Sequence, residues 1–323
     1  MPERRSDAES VDWASLEVYG PPEEVPVALN AIWSTDPQRR LLGYRYLSDR
    51  FVHQGSRYPA SAVAAPFLID VVADSQAPDR FAACQVLLHI AIGDEEYTLN
   101  DRPDYAHRRR ESVRKAALTV EELEAEEAAW VASAKDPQEH AAREQRARHA
   151  NVERDRLAER WDVEAYDAVR AGVPAYIQAL SADHLGTRIY AAQLLAYFPE
   201  DAASVVPALI RVIGEEDPIV ASAAAMAAGI CARGTEDPAA AAAITARWEG
   251  ATNLAERWAT AISLAQLLNH PGPDILADVE AATEAPAPVP HLPFLDGDIA
   301  AVAAYTLDRL EDKHTLPSGP WSD

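Results

Sequence analysis

Residues 183–195 read DHLGTRIYAAQLL: a turn or cap residue, then an arginine, then a small residue three positions on, set among larger apolar neighbours. The same grammar returns at 36–47 (DPQRRLLGYRYL), 77–88 (APDRFAACQVLL), 217–228 (DPIVASAAAMAA), 254–268 (LAERWATAISLAQLL) and 297–308 (GDIAAVAAYTLD). Aligned on one register, an anchor falls at Arg40, Arg80, Arg188, Val220, Arg257 and Ala300. Three residues later stand Gly43, Ala83, Ala191, Ala223, Thr260 and Ala303, nearly all small. The anchors are separated by 40, 108, 32, 37 and 43 residues, and all but the 108 fit a unit of two short helices.

A first helix precedes each anchored one. VPVALNAIW, AVAAPFLIDVVAD, AGVPAYIQALSAD, SVVPALIRVIGEED, DPAAAAAITARWEG and PDILADVEAATEA occupy that place in order. Pro26, Pro66, Pro174 and Pro207 are read as early prolines, tolerated in a first turn that needs no intrahelical donor. Apolar residues such as Val206, Leu209, Ile210 and Ile213 recur at three and four, the mark of one buried stripe. Asp36-Pro37 and Asp217-Pro218 place a side-chain acceptor ahead of a proline and predict helix starts there. The small residue three past the anchor allows close approach between neighbouring helices.

This grammar resembles the HEAT repeat family of the PBS-lyase HEAT-like type, and especially the HEAT-like repeat proteins of actinobacteria. The resemblance covers residues 22–92 and 164–312. It implies an all-α fold, an α-solenoid of HEAT/armadillo-like helix pairs, whose stacking creates an extended concave surface suited to binding another protein.

The expected divisions are a polar segment at 1–20, repeats at 21–92, an insertion at 93–162, repeats at 163–313 and a tail at 314–323. The insertion is read as a charged helical hairpin. Thr119 and Glu122 have capping-box spacing, and Asp136, Pro137 and Glu139 restart the grammar for a second helix of about 36 Å. The apolar stripes are thin (Leu123 and Trp130, then Ala150, Leu157 and Trp161), so the hairpin either rests on the solenoid or reaches for a partner or a second copy. Ahead of it, Arg108, Arg109, Arg110, Arg114 and Lys115 are expected to pair with Glu121, Glu122, Glu124, Glu126 and Glu127. The proline-rich stretch 285–298 imposes an extended loop, a connector or a docking element.

With 323 residues, 48% of them hydrophobic, the chain has ample material for a core. Its net charge is -23, and residues 101–160, with 13 basic and 14 acidic side chains, account for almost none of it. Such a surface repels phosphate backbones and anionic bilayers and suits a basic protein partner. The first residues lack the apolar run of a signal peptide, and no stretch is long and apolar enough to span a bilayer, so a cytoplasmic setting is expected. Cys84 and Cys231, far apart within helix-like runs, read as buried thiols.

Motifs that carry chemistry are missing: no G-x-S-x-G, H-E-x-x-H, C-x-x-C or glycine-rich phosphate loop occurs. Ser181, Asp183 and His184 lie too close in sequence to converge as a triad, and His140 with Glu144 offers two metal ligands at most. The HEAT-fold hydroxylases carry His-Glu pairs as iron ligands, whereas this chain has only the reversed Glu139-His140. The HEAT-like DNA glycosylases need a basic face, and residues 161–323 hold 8 basic against 23 acidic side chains. No catalytic residue, metal or cofactor is therefore expected, and no nucleic-acid or membrane partner. The expected activity is that of a non-catalytic, protein-binding scaffold, in one variant an immunity or antitoxin-like adaptor for a basic partner. The alternative is an enzyme of secondary metabolism with a site built from the solenoid face and the insertion loops. Partner-binding candidates are Arg39, Arg40, Tyr44 and Tyr46 in the first repeat and Arg80, Arg188 and Arg257 beyond it, the arginines being equally suited to an inter-repeat ladder.

Overall fold

A computed structural model describes residues 8–100 and 103–311; the expected tail at 314–323 lies outside them. Six helix pairs follow the sequence grammar. The first helices are α1 (Val25–Ala31), α3 (Pro59–Ala73), α10 (Val173–Ala179), α12 (Ala202–Ile213), α14 (Pro238–Glu249) and α16 (Pro273–Ala282). The second helices are α2 (Pro37–Phe51), α4 (Arg80–Ile92), α11 (Leu185–Leu195), α13 (Pro218–Cys231), α15 (Leu254–Leu267) and α17 (Ile299–Glu311). Each second helix packs on the next, α2 on α4, α4 on α11, α11 on α13, α13 on α15 and α15 on α17, so the array is an all-α solenoid. Strand among the described residues is confined to a small hairpin, β1 (Val52–His53) with β2 (Ser56–Arg57).

The helix starts lie where the caps put them. Asp36 accepts from Gln38 N at 2.9 Å, and Asp217 accepts from Ile219 N and Val220 N at 2.9 and 3.1 Å, each ahead of a proline. These contacts satisfy donors that the first turn would otherwise leave bare. All six small residues three past the anchors are buried. Helices α13 and α15 approach closely at Gly229, where a Cβ would stand 2.5 Å from the Ser263 carbonyl oxygen. Cys84 and Cys231 are buried and free, and burial pushes the Cys84 thiol up to about 12, which leaves it an unreactive packing group.

Three sequence expectations change. Pro66 and Pro207 stand inside α3 and α12 and not in a first turn, because α3 already starts at Pro59 and α12 at Ala202. Nor does the second insertion helix run unbroken. It divides into α8 (Pro137–Ala147) and α9 (Val152–Arg170), since Asn151 leaves helical geometry and caps α9 by accepting from Arg154 N at 3.0 Å. Finally, segment 93–162 is more than a hairpin. It holds α5 (Glu95–Asn100), α6 (Tyr105–Ala116) and α7 (Val120–Ala132) as well. α9 buries Trp161, Val163, Ala165, Tyr166 and Val169 and packs on α3 and α4 of the second repeat. Tyr105 and Tyr166 stack at 3.5 Å between α6 and α9. Only α7 and α8 keep thin stripes: Leu123 is buried on α7, and no residue of α8 is. Arg143 lies over the Trp130 ring at 4.9 Å and joins the two.

The arginine cluster also pairs differently. Asp162 takes both Arg57 and Arg108, at 2.8 and 3.0 Å, while Arg109 binds Asp167 and Glu200. Lys115 binds Glu159 at 2.7 Å. Of the expected glutamates, Glu126 holds Arg114, which also binds Glu111. The reason is packing: α9 lies against α6 along its length, whereas α7 turns away from it.

Candidate functional site

Three of the four anchor arginines, Arg40, Arg80 and Arg188, bind main-chain carbonyls at or just past the end of the preceding helix. Arg80 donates from Nε and Nη2 to the Val72 carbonyl, at 2.9 and 2.6 Å, and Arg188 Nε donates to the Leu180 carbonyl at 3.0 Å. Arg40 Nη1 reaches the Ser34 carbonyl at 3.0 Å. The Val72 and Leu180 carbonyls end the first helix of the same pair and have no helical donor of their own, so the guanidinium closes the helix, while the Ser34 carbonyl lies in the turn beyond α1. The free edge then reaches the following repeat: Arg40 binds Asp79 at 2.6 Å, Arg188 binds Glu215 and Arg257 binds Asp278 at 2.9 Å. Arg257 also lies over the Trp248 ring at 4.8 Å. The four arginines are thus spread over successive turns and do not converge on one patch.

In the first repeat the candidates separate. Tyr44 is buried in α2 against α4, and burial, with Asp79 nearby, raises its hydroxyl well above the ordinary range. Tyr46 is half-buried and donates to the Pro21 carbonyl at 2.8 Å. Arg39 is exposed. It shares the outer side of α2 with Leu41, Leu42 and Arg45.

The inner layer of second helices is covered by the chain itself. After α4, Gly93 turns the backbone at φ +73. A Cβ there would meet the Gly55 carbonyl oxygen at 2.4 Å, so glycine is required. α5 then crosses back over the layer. Glu95 accepts from Gln193 Nε2 and Tyr197 Oη, both at 2.7 Å, and from Leu295 N at 2.9 Å. The Gln193 amide also donates to the Pro293 carbonyl at 3.0 Å, Arg233 donates to the Leu99 carbonyl at 3.0 Å, and Tyr305 donates to Glu96. Burial raises the Glu95 carboxyl above its usual range, while the three donors hold it back. The 285–298 stretch docks alongside, with Leu292 and Phe294 in the core. Periodicity does not reveal this closure, because α5 is six residues long and its contacts are remote. Gly93-Asp94 in the sequence marks a turn but not where the chain goes next.

Beside that closure lies an open cleft of about 480 Å3, lined by Tyr19, Ser48, Arg50, His53, His89 and Gly93 among others. His53 stacks on Tyr19 at 3.7 Å, and Ser48 Oγ stands 3.4 Å from His89 Nδ1. Elsewhere His184 caps α11, its Nδ1 accepting from Thr187 N at 3.3 Å, which removes it from any work with Ser181. Glu144 binds Arg148 at 3.0 Å. Among the described residues no three His, Cys, Asp or Glu side chains are grouped to hold a metal, and no helix is long and apolar enough to cross a membrane.

Residues 173–274, which run from α10 to the start of α16, match the family model of HEAT repeats. No curated protein matches the chain.

Proposed function

We propose that this chain, a HEAT-repeat protein, is a non-catalytic scaffold that binds another protein. HEAT arrays commonly serve such interactions, and their extended surfaces suit them. The observation that carries the reading is the open end of the inner layer: α2 has α4 on one side, and its other side exposes Leu41 and Leu42. His184, by contrast, is spent in a helix cap, and Arg80 and Arg188 on helix ends.

The concave surface is the natural first candidate for the partner. Here α5 and the 285–298 stretch lie across it from α4 to α17, so the reading moves the interface to the first repeat. The net charge of -23 supports attraction of a basic protein at long range, as in an adaptor or immunity-type role in the cytoplasm. Nucleic acid is not the proposed ligand, since Arg108 and Arg109 are engaged by Asp162, Asp167 and Glu200. The test is purification of the tagged chain from its source cells in mild salt. A stoichiometric protein should accompany it, and recovery as a bare monomer at native abundance refutes the scaffold reading.

A further inference from the structure

The exposed side of α2 has a definite pattern. Gln38, Leu42, Arg45 and Asp49 follow at helical spacing and are all exposed, with Leu41 and Arg39 on the flanks. Leu41 and Leu42, adjacent on the helix, are 51% and 64% exposed and form a small apolar patch. Among the described residues neither Arg39 nor Arg45 has a partner for its guanidinium. Arg40, Arg57, Arg108, Arg109, Arg114 and Arg188, by contrast, all hold carboxylates. A chain of net charge -23 has many carboxylates to offer, and among the described residues none pairs with Arg39 or Arg45.

We propose that the face Gln38–Asp49 docks an amphipathic helix of the partner protein, one whose apolar stripe is flanked by acidic side chains. The proposal rests on the scaffold reading and gives it a location and a chemistry. Three considerations fix the occupant. The stripe is about 16 Å long, the length of three helical turns, and its four-and-three spacing fits a helix laid along it. The two free guanidiniums call for carboxylates opposite them. A second copy paired about the exposed leucine does not suit. Antiparallel two-fold pairing centred on Leu42 would set Arg45 of one copy against Arg39 of the other, and like charges would meet twice. Asp49, at the far end, adds a place for a single basic residue on the docked helix. The basic partner favoured by overall charge and the acidic helix favoured here are compatible in one protein, the first steering approach and the second setting contact.

The test uses the full chain and fluorescence anisotropy with a dye-labelled helical peptide of about 18 residues, long enough to form helix marginally on its own. The probe carries leucines at one helical stripe with glutamates on both flanks; a control carries lysines in their place. The glutamate probe should bind saturably and roughly tenfold more tightly than the control, and binding should weaken as salt rises. Leu42→Asp should abolish it with the thermal midpoint unchanged. The pair Arg39→Glu and Arg45→Glu should reverse the preference between the two probes. Absence of binding, an unchanged preference in the double variant, or equal binding of both probes overturns the proposal. So does a concentration-dependent dimer in sedimentation that Leu42→Asp dissolves, which would give the face to a second copy. If the double variant still co-purifies with a cellular partner in full yield, this face is refuted while the scaffold reading stands.

Discussion

Gly229→Ala measures how the inner layer is held together. On an open helix this change stabilises by about 1 kcal/mol, because alanine restricts the unfolded chain and favours helix. In α13 the added Cβ would lie 2.5 Å from the Ser263 carbonyl oxygen, 2.9 Å from its Cα and 3.0 Å from its carbonyl carbon. All three atoms are main chain, so no side-chain rotation relieves the contact. α15 would have to withdraw as a body by about half an ångström or more, and it is buried continuously from Ala259 to Leu267. Overpacking costs about 1 to 3 kcal/mol, and a rigid main-chain contact belongs at the upper end. Net of the helix gain, the variant should lose about 2 kcal/mol, or about 3 °C in thermal midpoint for a chain of this length. Gly214→Ala is the control: its φ of −76 suits alanine and the nearest atom is 3.6 Å away, so its midpoint should hold or rise. Circular dichroism melts of the two variants decide the matter. A Gly229→Ala midpoint at or above wild type would show that α13 and α15 do not meet at this residue.

Further perturbations separate the remaining elements. Deleting residues 120–147, joined by a short flexible linker, should leave a soluble protein that melts near wild type, because α7 and α8 bury one side chain between them. Extending the deletion to 161 should abolish soluble expression, since it removes Glu159, the partner of buried Lys115, and the buried Trp161. Arg80→Met should cost about 1 to 3 kcal/mol in urea melts, the penalty of leaving the Val72 carbonyl without its donor. Burial pushes the Glu256 carboxyl up, but the Thr252 amide and hydroxyl and the Arg247 guanidinium outweigh it, so it titrates below its usual range. Its contribution to stability is therefore fully present above the ordinary carboxylate range and disappears as pH falls through the lowered folded value. Glu256→Gln should destabilise at neutral pH and flatten the acid limb of the stability curve; an unchanged limb contradicts the assignment.

The repeat array was legible because its signals are local. Asp36, Asp217 and the prolines behind them announce helix starts, and the anchor-plus-three positions announce close packing, each within one unit. Residues 183–195 lie as the sequence suggested, with Ala191 buried and Arg188 in the turn. What escaped was everything set by remote partners. Thin periodicity marked α8 and the first part of α9 alike, and only contact with α3 and α4 tells the second from the first. The pairing of Arg108 with Asp162 crosses 54 residues, and that of Arg109 with Glu200 crosses 91, beyond the reach of any spacing rule. Among the site candidates, an arginine in a repeat looks the same whether it faces a partner or a carbonyl. Arg39 and Arg40 are neighbours with opposite fates, decided by which side of α2 meets the turn.

A stack of repeats ordinarily behaves as a one-dimensional chain of springs, each unit coupled to the next and free to fray from either end. Glu95 alters that mechanics. It links to Gln193 across 98 residues and to Leu295 across 200, while Glu96 meets Tyr305 across 209. These ties join the second repeat to the last, as a string joins the two limbs of a bow. Stretching or unwinding the array must first break them, and closing them requires a long loop whose entropy is recovered only when the intervening repeats are in place. The units from the second repeat to the last should consequently lose their structure in one step, and a partner that docks on α2 would sit beside a rigid frame and not a flexible ribbon.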